Sequence, residues 1–234
     1  MLSLLPLSVL HFSNAPSLHP LSMRGKFITF EGPEGSGKTT QAGLLVTRLQ
    51  EAGGEVLYAR EPGGTPAGEA IREMLQRDTA GEPICPETEV LLFAASRAQL
   101  VRHVILPALE AGRHVVCDRF ADSTTAYQGY GRGFPIEQML TINDFAINGA
   151  QPDITLLLDV EVETGFQRIE KRHRNTSSTW DRIEREARVF HEKVRNGYLE
   201  LARRWPSRFV IIDARGNPET VSDEIWSKVR DVLD

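Results

Sequence analysis

One stretch constrains this chain more than any other: Phe27-Ile28-Thr29-Phe30-Glu31-Gly32-Pro33-Glu34-Gly35-Ser36-Gly37-Lys38-Thr39-Thr40. Aromatic and β-branched residues ending at a glycine predict a strand, and the amphipathic run that follows predicts a helix. Between them lies G-x-x-x-x-G-K-T, from Gly32 to Thr39. Glycines let successive backbone N–H groups curl round a phosphate, and the start of a helix adds its dipole. Lys38 would reach the outer phosphates as a point charge, and Thr39 would offer its hydroxyl to Mg²⁺. Gly32, Pro33, Glu34, Gly35, Ser36, Gly37, Lys38, Thr39 and Thr40 are therefore the candidate nucleotide-phosphate site. A glycine-rich turn without chemistry would not need the lysine and the hydroxyl at its end.

The rest of the chain alternates in the same way. Apolar segments at 26–31, 55–60, 114–118, 153–160 and 209–213 read as strands. Helical patterns occupy 38–53, 66–77, 86–110, 123–128, 135–148, 162–173, 182–204 and 218–233. Pro107 should kink or end the third of these. The expected fold class is α/β, a five-stranded parallel sheet with helices on both faces. In such a sheet ligands bind beyond the carboxyl ends of the strands, where the glycine loop, Glu61, Asp118 and Asp159 should gather.

At 234 residues the chain suits one large α/β domain, read here as 25–234. A net charge of −5 speaks against a nucleic-acid partner. Cys85 and Cys117 fall in separate segments with neither metal spacing nor a disulfide framework, so a reducing cytoplasm is the expected compartment. No apolar run reads as a membrane span. Residues 1–24 are apolar at first and then rich in Ser, Pro and His, with no cation before Arg24. Neither a signal peptide nor a transit peptide has that charge pattern. The segment reads as a disordered extension or a mis-assigned start, with Met23 the natural first residue and a cleavable targeting segment the alternative.

Phosphate binding does not fix a reaction. No Asn-Lys-x-Asp guanine reader is present, and the length suits a small enzyme that moves phosphate between small molecules. Such an enzyme needs an acceptor pocket and a lid that keeps water from the γ-phosphate. Downstream stand Arg60-Glu61-Pro62-Gly63-Gly64-Thr65, Phe93-Ala94-Ala95-Ser96-Arg97, Asp118-Arg119-Phe120 and Ser123-Thr124-Thr125-Ala126-Tyr127-Gln128-Gly129. Together with the glycine loop they closely resemble the bacterial thymidylate kinases, a family of P-loop nucleoside monophosphate kinases. The resemblance runs in order from about Lys26 to the C-terminus. It implies ATP as co-substrate, Mg²⁺, dTMP as acceptor, direct in-line transfer, a lid around 168–182 and a homodimer, for which the 86–110 helix is a plausible surface.

Phe93 and Arg97 are four apart and share a helix face. A pyrimidine could stack on Phe93, and Arg97 could donate to a base carbonyl, although such residues are more often core and solvated charge. The resemblance implies that these positions hold thymine by stacking and through its O4. Asp118 ends a buried strand, where an acid commonly steers Mg²⁺. Arg119 would grip the acceptor phosphate in the bidentate way suited to guanidinium, and Arg72 matches a position near that phosphate. Ser123, Thr124, Tyr127 and Gln128 form one polar face. By resemblance Thr124 and Gln128 lie around the base and Tyr127 near the sugar, where a ring would exclude a ribose 2′-OH. Glu61 matches a loop carboxylate near Mg²⁺ or phosphate. Glu34, an acid inside the phosphate loop, matches a position directed at the acceptor sugar. No arginine lies between Gly32 and Lys38, so positive charge for the transferring phosphoryl must come from the lid. Counting from Gly165, Arg172 best matches the lid arginine, Arg168 is second, and Arg174 stands close by. The catalytic set is then Lys38, Arg119, Arg172 and Glu34. A kinase for dUMP or dCMP is the nearest alternative, and a non-catalytic ATP-binding switch the alternative of another class.

Overall fold

A computed structural model describes residues 24–77, 81–176 and 180–233. The 1–24 extension, apart from Arg24, and residues 177–179 of the expected lid lie outside the described residues.

The strands are β1 (Phe27–Glu31), β2 (Val56–Arg60), β3 (His114–Asp118), β4 (Ile154–Asp159) and β5 (Phe209–Asp213). They form one parallel sheet in the order β2-β3-β1-β4-β5. β1 is central. From it the chain builds β2 and β3 on one side and β4 and β5 on the other, so its carboxyl end is the switch point where a crevice opens. Phe30 of β1 pairs with Asp118 on one neighbour and Leu156 on the other, which brings the strand ends to one level.

Strand alternation divides the core between the two faces. Ile28 and Phe30 point to the layer of α1 (Lys38–Glu51) and α8 (Pro218–Leu233), which contribute Leu45, Leu49, Ile225 and Val229. Phe27 points the other way, onto Leu100, Val101, Ile105 and Leu109 of the helix α3 (Pro86–Glu110). Thr29 of β1 and Thr155 of β4 satisfy each other at 2.9 Å inside the sheet. α2 (Pro66–Gln76) starts on Thr65, whose side chain accepts the Gly68 N–H at 3.0 Å, with proline at its first position. The remaining helices are α4 (121–131), α5 (Ile136–Ile147), α6 (Val162–Thr176) and α7 (Arg188–Arg204). α7 packs Phe190, Val194 and Tyr198 against Ala126 and Tyr127 of α4.

The structure corrects several boundaries. Pro107 neither ends nor breaks α3. A wide π turn at Val101–Ile105 comes just before it, where the missing N–H would otherwise leave a carbonyl unpaired. By length and composition α3 would suffice to cross a membrane, against the sequence expectation. In this fold Leu100, Val101, Ile105 and Leu109 cover the sheet instead. α4 does not stop at Gly129 but continues as a π turn over Thr125–Gly131. α7 starts at Arg188 rather than 182. Residues 181–184 form a turn in which the Glu184 N–H bonds Asp181 Oδ1 at 2.7 Å and the Asp181 N–H bonds Glu184 Oε2 at 3.1 Å.

Candidate active site

A cavity of about 1150 Å³ opens at the carboxyl end of the sheet. Its phosphate side is built by the loop between β1 and α1. Glu34, Gly35, Ser36, Gly37, Lys38, Thr39 and Thr40 line it, and Gly32 and Pro33 do not. The loop turns through left-handed backbone at Gly35 (φ 72°) and Gly37 (φ 93°), which glycine adopts without strain. Lys38 Nζ donates to the carbonyls of Gly32 at 3.1 Å and Pro33 at 2.8 Å. Burial, with Arg119 adding to it, lowers the ammonium to about 8, against the pull of Glu34, Asp118 and Glu31. Thr39 Oγ1 donates to Asp118 Oδ2 at 2.5 Å, so hydroxyl and carboxylate meet at the loop's mouth. Gly35 also touches α6. A Cβ on Gly165 would lie 2.2 Å from the Glu34 carbonyl oxygen, so a bare glycine in α6 is what lets loop and helix pack backbone to backbone.

In the same cavity as the loop's lysine stands Arg119, which follows β3 in left-handed backbone at φ 70°. Its Nη2 donates to Glu34 Oε1 at 2.7 Å and its Nη1 to Ser123 Oγ and Tyr198 OH, both at 3.3 Å. Tyr127 OH also donates to Glu34, at 2.7 Å. Burial would raise the Glu34 carboxyl, but Arg119 and then Lys38 outweigh it and hold it at about 2. Glu34, Arg119, Ser123 and Tyr127, expected from separate motifs, thus form one cluster. Behind it sits Glu31, absent from the sequence expectation. Its carboxylate accepts the Phe120 N–H at 2.8 Å, Ser123 Oγ at 2.6 Å and Tyr198 OH at 2.8 Å. Burial, reinforced by Asp122, lifts it to about 6. A lone carboxylate in an apolar strand was the available signal for Glu31. Tyr198, on a helix far along the chain, gave none.

The third wall holds Phe93, Glu61, Thr124 and Gln128, with Arg72 nearby. Phe93 is half-buried and lines the cavity rather than filling the core. Arg72 donates to the Pro62 carbonyl at 2.8 Å. Arg97 departs from expectation. It is 1% exposed and does not line the cavity. Its guanidinium bonds Glu61 Oε2 at 2.9 Å, Asn143 Oδ1 at 2.7 Å and Thr124 Oγ1 at 2.8 Å. A buried cation must be paired on several sides, and here that pairing turns Arg97 into a brace behind the wall. Glu61 is correspondingly committed to Arg97. Burial lifts it to about 7 even though Arg97 opposes the rise. Tyr58 and Arg60 line the cavity as well, unforeseen, the second as the opening residue of a motif already noted.

From α6, Arg172 and Arg168 line the cavity and Arg174 does not. Arg172 is half exposed and pairs with Glu184 Oε1 at 2.6 Å. Arg168 donates to the Ala214 carbonyl at 2.9 Å and to the Gly35 carbonyl at 3.4 Å. Trp180 stacks on Phe166 with ring centroids 5.7 Å apart, tying the segment that follows α6 back to it.

A central-strand glycine loop, a carboxylate at its threonine, and an arginine-bearing wall in one cavity define a P-loop phosphotransferase. A profile of the thymidylate kinase family matches residues 30–225. The chain belongs to that family. It is 50% identical over 207 residues to the thymidylate kinase of Thermomicrobium roseum, covering 88% of this chain and 95% of that protein. It is likewise 50% identical over 212 residues to the thymidylate kinase of Pelotomaculum thermopropionicum, covering 91% and 96%. The crystal structure of thymidylate kinase from Ehrlichia chaffeensis superposes with a TM-score of 0.71 at 34% identity, covering 88% of this chain and 99% of that one.

Proposed function

We infer the following division of labour in a thymidylate kinase whose single domain spans 25–234, with a lid around 168–182. The enzyme phosphorylates dTMP to dTDP with ATP. The observation that carries the assignment of roles is the continuity of the cavity, which joins the phosphate loop to the wall of Phe93, Thr124 and Gln128 across Arg119. ATP lies with its phosphates on residues 32–40. Lys38 leaves the loop carbonyls for the outer phosphates. Thr39 and Asp118 would hold Mg²⁺, whose chemistry is to neutralise charge on the phosphates. Their hydroxyl–carboxylate contact fits an ion that takes few protein ligands and keeps waters and phosphate oxygens.

Arg119 grips the acceptor phosphate, and Glu34 orients it. That phosphate is anionic near neutral pH, so no strong general base is required, and the rate comes from position and charge. Arg172 is the lid cation, and Glu184 holds it until the lid closes on the transferring phosphoryl. Arg168 braces the loop. The pyrimidine stacks on Phe93 beside Thr124 and Gln128, which Arg97 steadies from behind through Thr124 and Asn143. Tyr127, bonded to Glu34, crowds the sugar edge. Leu91 and Phe145, 60% and 87% exposed on two helices that pack together, support a homodimer, and a cytoplasmic location completes the reading.

The test is ADP release with ATP-Mg²⁺ and each of dTMP, dUMP, dCMP and dGMP, run on the parent and on Phe93→Ala. The variant should raise the KM for dTMP by about tenfold or more, since a base on an aromatic ring is worth roughly 1–3 kcal/mol, with the KM for ATP unmoved. Turnover absent with dTMP, or an unchanged KM in the variant, overturns the assignment.

A further inference from the structure

Glu89 is an acid on the inner side of α3 that none of the roles above employs. It is 1% exposed. Three donors converge on it. Gln128 Nε2 reaches its Oε1 at 2.7 Å, Arg132 binds it through Nε at 2.7 Å and Nη2 at 3.0 Å, and Arg182 bonds its Oε2. A carboxylate this deep would normally be pushed toward neutrality, yet Arg132 and Gln128 overcome the burial and keep it below the usual range, hence ionised.

An ionised carboxylate only accepts hydrogen bonds. It therefore fixes which end of the Gln128 amide faces it: the NH₂ group, always. The Gln128 side-chain oxygen, Oε1, is left on the other side. It makes no hydrogen bond among the described residues and is not among the sealed, unpaired atoms, while Gln128 lines the cavity. The oxygen thus opens on the space beside Phe93. An acceptor there suits a pyrimidine whose N3 carries hydrogen, as in thymine or uracil. Cytosine presents an unprotonated, acceptor N3, and two acceptors face to face repel. A site built to bond one hydrogen rejects the analogue that lacks it far more strongly than a shape difference would.

We propose that Glu89 is a positioning residue for base selectivity: by holding the Gln128 amide in one orientation it makes the pocket accept N3–H pyrimidines and refuse cytosine. Glu89 touches no substrate and acts only through Gln128. Arg182, at the end of the lid, shares the same carboxylate, so the orientation is held from both the α4 and the lid side.

The inference rests on the reading that Gln128 faces the base, and the experiment separates the two. The dissociation constants of dTMP and dCMP are measured by titration calorimetry for the parent, Gln128→Leu, Glu89→Gln and the double variant Glu89→Gln/Arg132→Gln. The double variant removes one of the two cations that the single change deprives of Glu89, and the other, Arg182, keeps the Leu75 carbonyl. With a neutral amide at position 89 the Gln128 amide can turn, so dTMP should weaken and the dTMP-to-dCMP preference should narrow by about tenfold or more, with the KM for ATP and kcat changing little. A merely structural Glu89 would weaken both nucleotides alike and leave the preference intact, and that result in a folded variant overturns the proposal. If Gln128→Leu leaves dTMP binding unchanged, the base-facing reading fails instead. In the unmutated protein the Gln128 side-chain NH₂ should show one proton shifted downfield in nitrogen-correlated NMR spectra. Two ordinary, exchange-averaged amide protons there overturn the proposal without any variant.

Discussion

The pair Glu34–Arg119 offers the most direct quantitative test of the site. Both side chains are about four-fifths buried and meet at 2.7 Å. The Glu34 carboxyl lies at about 2 in the fold against an ordinary 4.5, so burial loses to Arg119 and Lys38. A depressed acid contributes stability above its unfolded value and loses it as pH falls through its folded value. At about 1.4 kcal/mol per pH unit the ionised carboxylate is worth about 3 kcal/mol at pH 7, and at pH 3, part-way down the window from 4.5 to about 2, about 1 kcal/mol remains. Glu34→Gln keeps the shape and the bond to Tyr127 but removes the charge. The stability gap between parent and variant, measured by urea unfolding, should therefore narrow by about 2 kcal/mol between pH 7 and pH 3. Other buried acids, Glu31 and Glu61 among them, titrate in both proteins and largely cancel in the difference. A gap that stays constant across that range would refute the coupling of Glu34 to Arg119 and Lys38, and with it the view that this acid holds Arg119 in place.

Arg172→Ala should lower kcat by about 10²-fold with little change in the KM for either nucleotide, as loss of a charge that acts only on the transition state does; unchanged turnover would pass the role to Arg168, whose own alanine variant should otherwise loosen ATP binding. Gly165→Ala should destabilise the fold and weaken ATP binding together, because its new Cβ would meet the Glu34 carbonyl at 2.2 Å. Intact ATP affinity in that variant would show that α6 and the phosphate loop are not mechanically joined.

The sequence carried the fold because the fold depends on local periodicity. Each strand has a short apolar run and each helix a stripe, and a lysine-bearing glycine loop needs a strand before it and a helix after it. Boundaries slipped where a side chain, rather than periodicity, sets them. Pro107 reads as a stop, yet a π turn upstream absorbs its missing N–H. Arg182 and Glu184 continue a helical pattern, yet Asp181 and Glu184 bond each other's backbone and make a turn. Most residues that line the cavity were legible, since they sit in motifs at strand ends. Glu31, Glu89 and Tyr198 were not, because their importance lies in which distant polar group they meet.

Arg97 shows why that distinction matters for function. Its motif marks it as a reader of the base, and a reader must reach the cavity. Its guanidinium lies behind the cavity wall, where bare charge is costly, and the structure surrounds it with Glu61, Asn143 and Thr124. The same construction recurs behind Gln128, where Glu89 meets Arg132 and Arg182, and behind Ser123, where Glu31 meets Tyr198. In each case a short polar residue lines the pocket and a buried charge behind it fixes which way that residue points. An enzyme that accelerates by position needs such supports, because a group held in one orientation spends no free energy reorganising in the transition state. Substitution of a supporting charge should therefore reach the reaction through the geometry of Thr124, Gln128 or Ser123 rather than through any contact of its own.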